Sequence, residues 1–180
     1  MIYTVTLNPA IDKTIFVDEL HSPGVNRATR TQIFPGGKGN NVAQVVHKYG
    51  YSCMATGILS GQTGRYIENM LAQAQIQCSF IYTSGETRTN TKIIDEKNEV
   101  ITEINETGQN VSATDLQMIE HRFLSLIKVD DVVVFSGSLP PQAPEEIYRR
   151  WILAAKEKGA ITILDSDQEG LKQGVCAGPH

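Results

Sequence analysis

Long apolar runs, an excess of positive charge and a paired set of cysteines are all missing from this 180-residue chain. No stretch approaches the roughly 20 apolar residues of a membrane span. The N-terminus has no basic segment leading into an apolar core, so no targeting leader is expected. Sixteen Lys and Arg stand against twenty Asp and Glu, a formal net charge of -4. That balance excludes a general nucleic-acid binder, which needs a basic face. Cys53, Cys78 and Cys176 are odd in number and far apart. They fit neither a disulfide framework nor a metal spacing, and a reducing cytoplasm is the expected compartment. His21, His47, His121 and His180 are scattered and are read as surface or core residues. Internal repeats and low-complexity segments are absent too. What remains is 41% hydrophobic, enough for the core of one domain.

The patterning has two textures. One alternates strands and helices. Ile2–Leu7 reads as a strand that stops at Asn8-Pro9. Val42–Tyr49 reads as a helix with Gly50 at its C′ position. Cys53–Leu59 and Cys78–Tyr82 read as strands around a helix from Gly64 to Gln75. Ser112 and Asp115 form a capping box ahead of a helical stripe through Leu116, Ile119 and Phe123. Val132–Phe135 is a continuous apolar strand, the pattern of burial on both faces. A tight turn follows at Ser136–Pro141, then a helix opening at Pro144 and stopping at Gly159. Ile161–Leu164 is the next strand, which makes a βαβ crossover and predicts a parallel sheet. The other texture is short amphipathic strands: Lys13–Leu20, Arg27–Phe34, and a hairpin of Thr89–Asp95 and Glu99–Asn105. These segments, about 11–34 and 88–105, are expected to form a small sheet covering a ligand crevice.

Most candidate site residues fall where ligands bind in such sheets, beyond the carboxyl ends of the strands. Pro35-Gly36-Gly37-Lys38-Gly39-Asn40-Asn41 precedes the first helix. Its glycines permit close backbone approach, Lys38 adds a point charge, and Asn41 adds hydrogen-bonding capacity. It is not a Walker A loop, because Gly39 stands where Ser or Thr is required. Asp12 can accept from sugar hydroxyls or can serve simply as a turn aspartate. Arg88 can clamp a phosphate with its planar fork or be a solvated residue at a hairpin base. Ser136-Gly137-Ser138 can form an anion nest or an ordinary turn. Asp165 sits near a nucleotide or metal, or only ends its strand.

Five motifs, taken in order, resemble one family. They are Thr6-Leu7-Asn8-Pro9-Ala10-Ile11-Asp12, Gly24-Val25-Asn26-Arg27, Pro35 through Ala43, Thr87-Arg88-Thr89-Asn90, and Ser136-Gly137-Ser138-Leu139-Pro140. Together they are similar to the PfkB group of ribokinase-like carbohydrate kinases, most of all its 1-phosphofructokinase branch, with the tagatose-6-phosphate kinases next. The resemblance runs from Met1 to about Leu171. It implies a Rossmann-like, ribokinase-like α/β fold: a mostly parallel central sheet in three layers, plus a β-sheet lid. It implies ATP-dependent phosphorylation of fructose 1-phosphate to the 1,6-bisphosphate, with Mg2+, and a homodimer formed through the lid. Two alternatives stand beside it: a tagatose-6-phosphate kinase, and a truncated, non-catalytic sugar-phosphate-binding domain. The resemblance assigns substrate contacts to Asp12, Gly36, Gly37, Lys38, Gly39, Asn41, Arg88 and Ser138.

Three departures accompany it. Family members usually carry a small aliphatic residue at Asn40, and a different run after Asp165 than Ser166-Asp167-Gln168-Glu169-Gly170. Their later half supplies a Gly-x-Gly-Asp general base and an Asn-x-x-Glu metal motif, neither of which occurs here. Residues 1–180 are therefore expected to be the N-terminal portion of one such domain, with the base and most of the ATP and Mg2+ sites outside it and no kinase activity of their own.

Overall fold

The computed structural model describes residues 1–180. Nine strands and five helices form two sheets. The larger sheet contains β1 (Ile2–Thr6), β4 (Cys53–Ser60), β5 (Gln77–Thr83), β8 (Val132–Ser136) and β9 (Ile161–Asp165). All pair in parallel, in the order β5-β4-β1-β8-β9. The βαβ crossover read from Val132 to Leu164 is present: β8 and β9 are neighbours joined through α4 (Ile147–Glu157). That helix starts three residues after Pro144, because the chain first makes a turn in which the Ile147 N–H reaches the Pro144 carbonyl.

Apolar side chains cover both faces of this sheet. On one face, Leu116, Ile119 and Phe123 of α3 (Ala113–Leu126) and Tyr148, Trp151 and Ile152 of α4 meet Val5, Leu7 and Phe135. On the other, Ala43 of α1 (Lys38–Lys48) and Ile67 and Leu71 of α2 (Gly61–Gln73) meet Ala55 and Leu59. The capping box of α3 forms as read, with Asp115 N–H donating to Ser112 Oγ at 3.1 Å and Ser112 N–H to Asp115 Oδ2 at 2.8 Å. Beside β1, Gly57 has φ +145°, and a Cβ there would lie 1.9 Å from the Thr6 carbonyl oxygen. Only glycine permits that approach.

The second sheet has the order β3-β2-β6-β7: β2 (Ala10–Val17), β3 (Arg30–Gly36), β6 (Arg88–Asp95) and β7 (Val100–Asn105). β2 starts three residues earlier than its pattern suggests and ends sooner, at Val17. β3 likewise runs on through Pro35 and Gly36, and the chain then passes straight into α1. A final helix, α5 (Gln168–Val175), packs on α4 and β9 and has no counterpart in the sequence reading. Gly174 allows it to lie close, since a Cβ there would stand 2.5 Å from Leu164 Cδ2.

Candidate functional site

The two sheets meet at the carboxyl end of β1. Asn8 lies between β1 and β2, Gly36 closes β3, Arg88 opens β6, and Ser138 follows β8. Asp12 is not in a turn. It lies within β2, opposite Phe34 of β3 and Asn90 of β6. Period-2 alternation therefore sends Asp12 and Asn90 to one face, where Asn90 Nδ2 donates to Asp12 Oδ1 at 3.0 Å. Gly36 packs against this carboxylate: a Cβ would stand 2.4 Å from Asp12 Cγ and Oδ2.

The glycine run is not a loop. Gly36 is the end of β3, Gly37 is the N-cap of α1 at φ +98°, and Lys38, Gly39 and Asn41 form the first turn of the helix. The helix simply begins four residues before its apolar stretch, since three glycines hid its start. Two consequences follow for the candidate residues. Gly39 is buried against β1, where a Cβ would lie 2.3 Å from Thr6 Oγ1, so it serves packing. Asn41 is exposed, and its Oδ1 meets only Gln44 Nε2 at 3.5 Å.

Lys38 crosses from α1 to the end of β9, with Nζ 3.1 Å from Asp165 Oδ1. Asp165 Oδ2 accepts from Ser136 Oγ at 3.0 Å, so the charge pair is tied to β8 as well. Both partners are about half exposed, and such a pair contributes little to stability. Ser138 Oγ accepts from Asn8 Nδ2 at 3.4 Å, which links it to the same junction.

Arg88 is held from two sides. Nη1 donates to the Glu106 carbonyl at 2.7 Å and Nη2 to the Asn8 carbonyl at 3.1 Å. Burial lowers its pKa, against the opposing pull of Asp12, Glu106 and Asp167. The guanidinium stays charged at neutral pH. Its Nε is buried without a partner, as is Asn90 Oδ1. One free donor and one free acceptor therefore sit in the row that faces Asp12. A cavity of about 250 Å3 opens beside Asn90, lined by Asp12, Thr14, Asn90, Lys92, Glu103 and Asn105 and by no apolar side chain; Arg88 lies outside its lining. Lys92 pairs with Glu103 at 2.9 Å and holds that carboxyl below its usual range. A larger groove along α3, by Met118, His121 and Arg122, collects none of these groups.

The junction therefore brings together Asp12, Gly36 and Arg88, with Gly37, Lys38 and Ser138 around it. It does not bring in the side chain of Asn41. Two residues were missed as site members: Asn90 and Asn8. Asn90 stands two places from Arg88, the spacing that puts both on one strand face, and that spacing was the available signal. The Asn8 contacts span about a hundred residues and left no local trace.

An α/β body joined to a second, smaller sheet has counterparts among known proteins. The family model described as pfkB family carbohydrate kinase matches residues 5–178. Tagatose-6-phosphate kinase of Staphylococcus epidermidis is 37% identical over 173 residues, covering 96% of this chain and 55% of that protein. 1-Phosphofructokinase of Bacillus subtilis is 36% identical over 171 residues, covering 95% and 55%. Among solved structures, the tetrameric inhibited form of phosphofructokinase-2 from Escherichia coli superposes with a TM-score of 0.91 at 29% identity, over 98% of this chain and 58% of that one. The chain spans about half the length of the curated relatives it matches. Fold, match and motif order agree, and the chain belongs to the pfkB family of carbohydrate kinases.

Proposed function

We propose that this chain supplies the acceptor-binding half of an ATP-dependent sugar-phosphate kinase, with fructose 1-phosphate as acceptor and fructose 1,6-bisphosphate as product. The observation that carries the reading is the Asp12–Asn90–Arg88 row. Asp12, an anion that only accepts, and Asn90, an amide that does both, line one cavity without apolar side chains, and Arg88, two residues before Asn90 on the same strand face, keeps an N–H without a partner. Sugar hydroxyls donate to Asp12 and Asn90 Oδ1, and the phosphate takes Arg88. Gly36 makes room for the Asp12 carboxylate, Gly37 offers its backbone N–H to the sugar, and Ser138 closes the site from the β8 side. Lys38, paired with Asp165 at the end of β9, is assigned to the acceptor, and Asp165 to the nucleotide side.

Phosphoryl transfer rests on positioning and charge stabilisation more than on covalent chemistry from the protein. In this reading the 180 residues do the positioning: they fix which hydroxyl of the sugar faces the donor. The general base lies outside them, so the chain binds acceptor without turning ATP over. The chain presents no group of three or more His, Cys, Asp or Glu side chains placed to hold a metal ion, and no residue of it is assigned to Mg2+. No helix is long and apolar enough to cross a membrane. β7 is exposed along its whole length and carries Val100, Ile101 and Ile104 outward. That edge is where a second copy would pair its lid, and light scattering across a concentration series tests it.

Calorimetric titration tests the substrate. Fructose 1-phosphate is expected to bind more tightly than fructose, and Asp12→Ala to abolish the difference in heat between ligand and buffer. Tagatose 6-phosphate is the second reading, favoured by the 37% identity to a kinase named for it; tighter binding of that sugar would select it. No binding of either sugar phosphate would refute the proposal.

A further inference from the structure

Two amide side chains of α1 reach backward onto the strand that enters it. Asn40 Nδ2 donates to the Gly36 carbonyl at 2.7 Å, and Gln44 Nε2 donates to the Pro35 carbonyl at 3.2 Å. They stand four residues apart, on one face of the helix. This reverses ordinary N-capping, in which a side-chain oxygen accepts from helix N–H groups. Gly37 provides no side-chain cap here. What the amides hold instead is the last two peptide units of a lid strand.

Asn40 is fully buried, and its Oδ1 has no partner. A buried amide with an orphaned acceptor is costly, so its position is not explained by packing. Its one bond falls on the peptide joining Gly36 to Gly37. A trans peptide is planar, so its C=O and N–H point in opposite directions. Holding the Gly36 carbonyl inward on Asn40 aims the Gly37 N–H outward. The same bond fixes the Gly36 backbone, against which the Asp12 carboxylate packs. One interior side chain thus sets two elements of the junction: a backbone donor, and the place of the carboxylate.

We infer that Asn40, seconded by Gln44, is a positioning residue that orients the Gly36–Gly37 peptide and, through it, Asp12 toward the bound sugar. The inference rests on the reading that this junction binds a phosphosugar. Asn40 touches no ligand; it acts through Gly36. The clasp also spans the two sheets' connection, since it joins β3 of the lid to α1 of the body.

The test compares Asn40→Val and Gln44→Met with the parent chain. In ligand-free protein, the backbone amide signals of Gly36, Gly37 and Asp12 are expected to shift in Asn40→Val, and Gly37 N–H to exchange faster with solvent. Signals of α3 and α4 should stay in place. Titrated with fructose 1-phosphate at a temperature where both are folded, Asn40→Val should bind about tenfold more weakly, the scale of one well-placed hydrogen bond. Gln44→Met should follow in the same direction with a smaller loss, and it serves if Asn40→Val does not fold. Unmoved Gly37 and Asp12 signals would overturn the inference. So would a lower melting temperature with unchanged affinity, because that is a purely structural role. If the parent chain binds no sugar phosphate, the functional reading fails, while the amide signals still decide whether the clasp orients the peptide.

Discussion

Gly36→Ala is a small change with a calculable consequence. The added methyl would stand 2.4 Å from Asp12 Cγ and Oδ2, and 2.6 Å from Oδ1. To reach ordinary contact the carboxylate must retreat by about 1 Å. Asn90 stands on the other side, because β2 lies between β3 and β6, and its Nδ2 already sits at 3.0 Å, so the retreat crowds that bond and spoils its geometry. Overpacking of this kind costs about 1–3 kcal/mol. In a domain of this size that lowers the melting temperature by about 2–4 °C per kcal/mol. The binding loss is separate. A hydrogen bond to a charged group contributes about 1.5–3 kcal/mol, so misplacing Asp12 should weaken fructose 1-phosphate by roughly ten- to hundredfold. Differential scanning calorimetry gives the first quantity and titration calorimetry the second. Unchanged affinity in a folded Gly36→Ala protein would refute the reasoning, because it would mean that Asp12 does not hold the sugar.

Three other substitutions probe separate parts of the account. Arg88→Met removes the donors to the Asn8 and Glu106 carbonyls and should cost about 1–3 kcal/mol; calorimetry should also show affinity falling far more for fructose 1-phosphate than for fructose. Gly57→Ala places a Cβ 1.9 Å from the Thr6 oxygen at a φ of +145° and should destabilise by more than about 4 kcal/mol, seen as loss of the cooperative thermal transition. Asp131 tests pH dependence. Burial pushes its carboxyl up, but the Met1 ammonium and the Lys128 N–H, each at 2.8 Å, outweigh it and leave the pKa lowered. Its folded value thus lies below the unfolded one of about 3.9. The stabilisation is complete above that pH and lost as pH falls through the folded value. Urea unfolding should find Asp131→Asn less stable than the parent at pH 7, and the two converging in acid.

Much of this fold was legible because its signals are local. The capping box at Ser112, the apolar strand at Val132 and the stop at Gly159 each rest on residues within one turn of each other. The hairpin of β6 and β7 was readable for the same reason. The start of α1 was not, since glycines are poor helix formers and the first turn of this helix exists because β3 and β1 hold it there. The end of β2 and the placement of Asp12 depended on pairing with β3 and β6, which no run of residues records. α5 was hidden for a similar reason: its glycines are poor helix formers, whereas Gly174 is the residue that lets it dock on Leu164. The site residues emerged through motif order more than through chemistry. Taken singly, Asp12 and Arg88 were ordinary turn and surface residues, and only the register that lines them up with Asn90 makes a site of them.

The central claim is that the junction of the two sheets holds the sugar phosphate. The most direct measurement is amide chemical-shift mapping of the chain titrated with fructose 1-phosphate. The account predicts saturable shifts at Asp12, Gly36, Gly37, Arg88 and Asn90, with none along α3. Saturable shifts confined to the α3 groove, or no shifts at all, would contradict it.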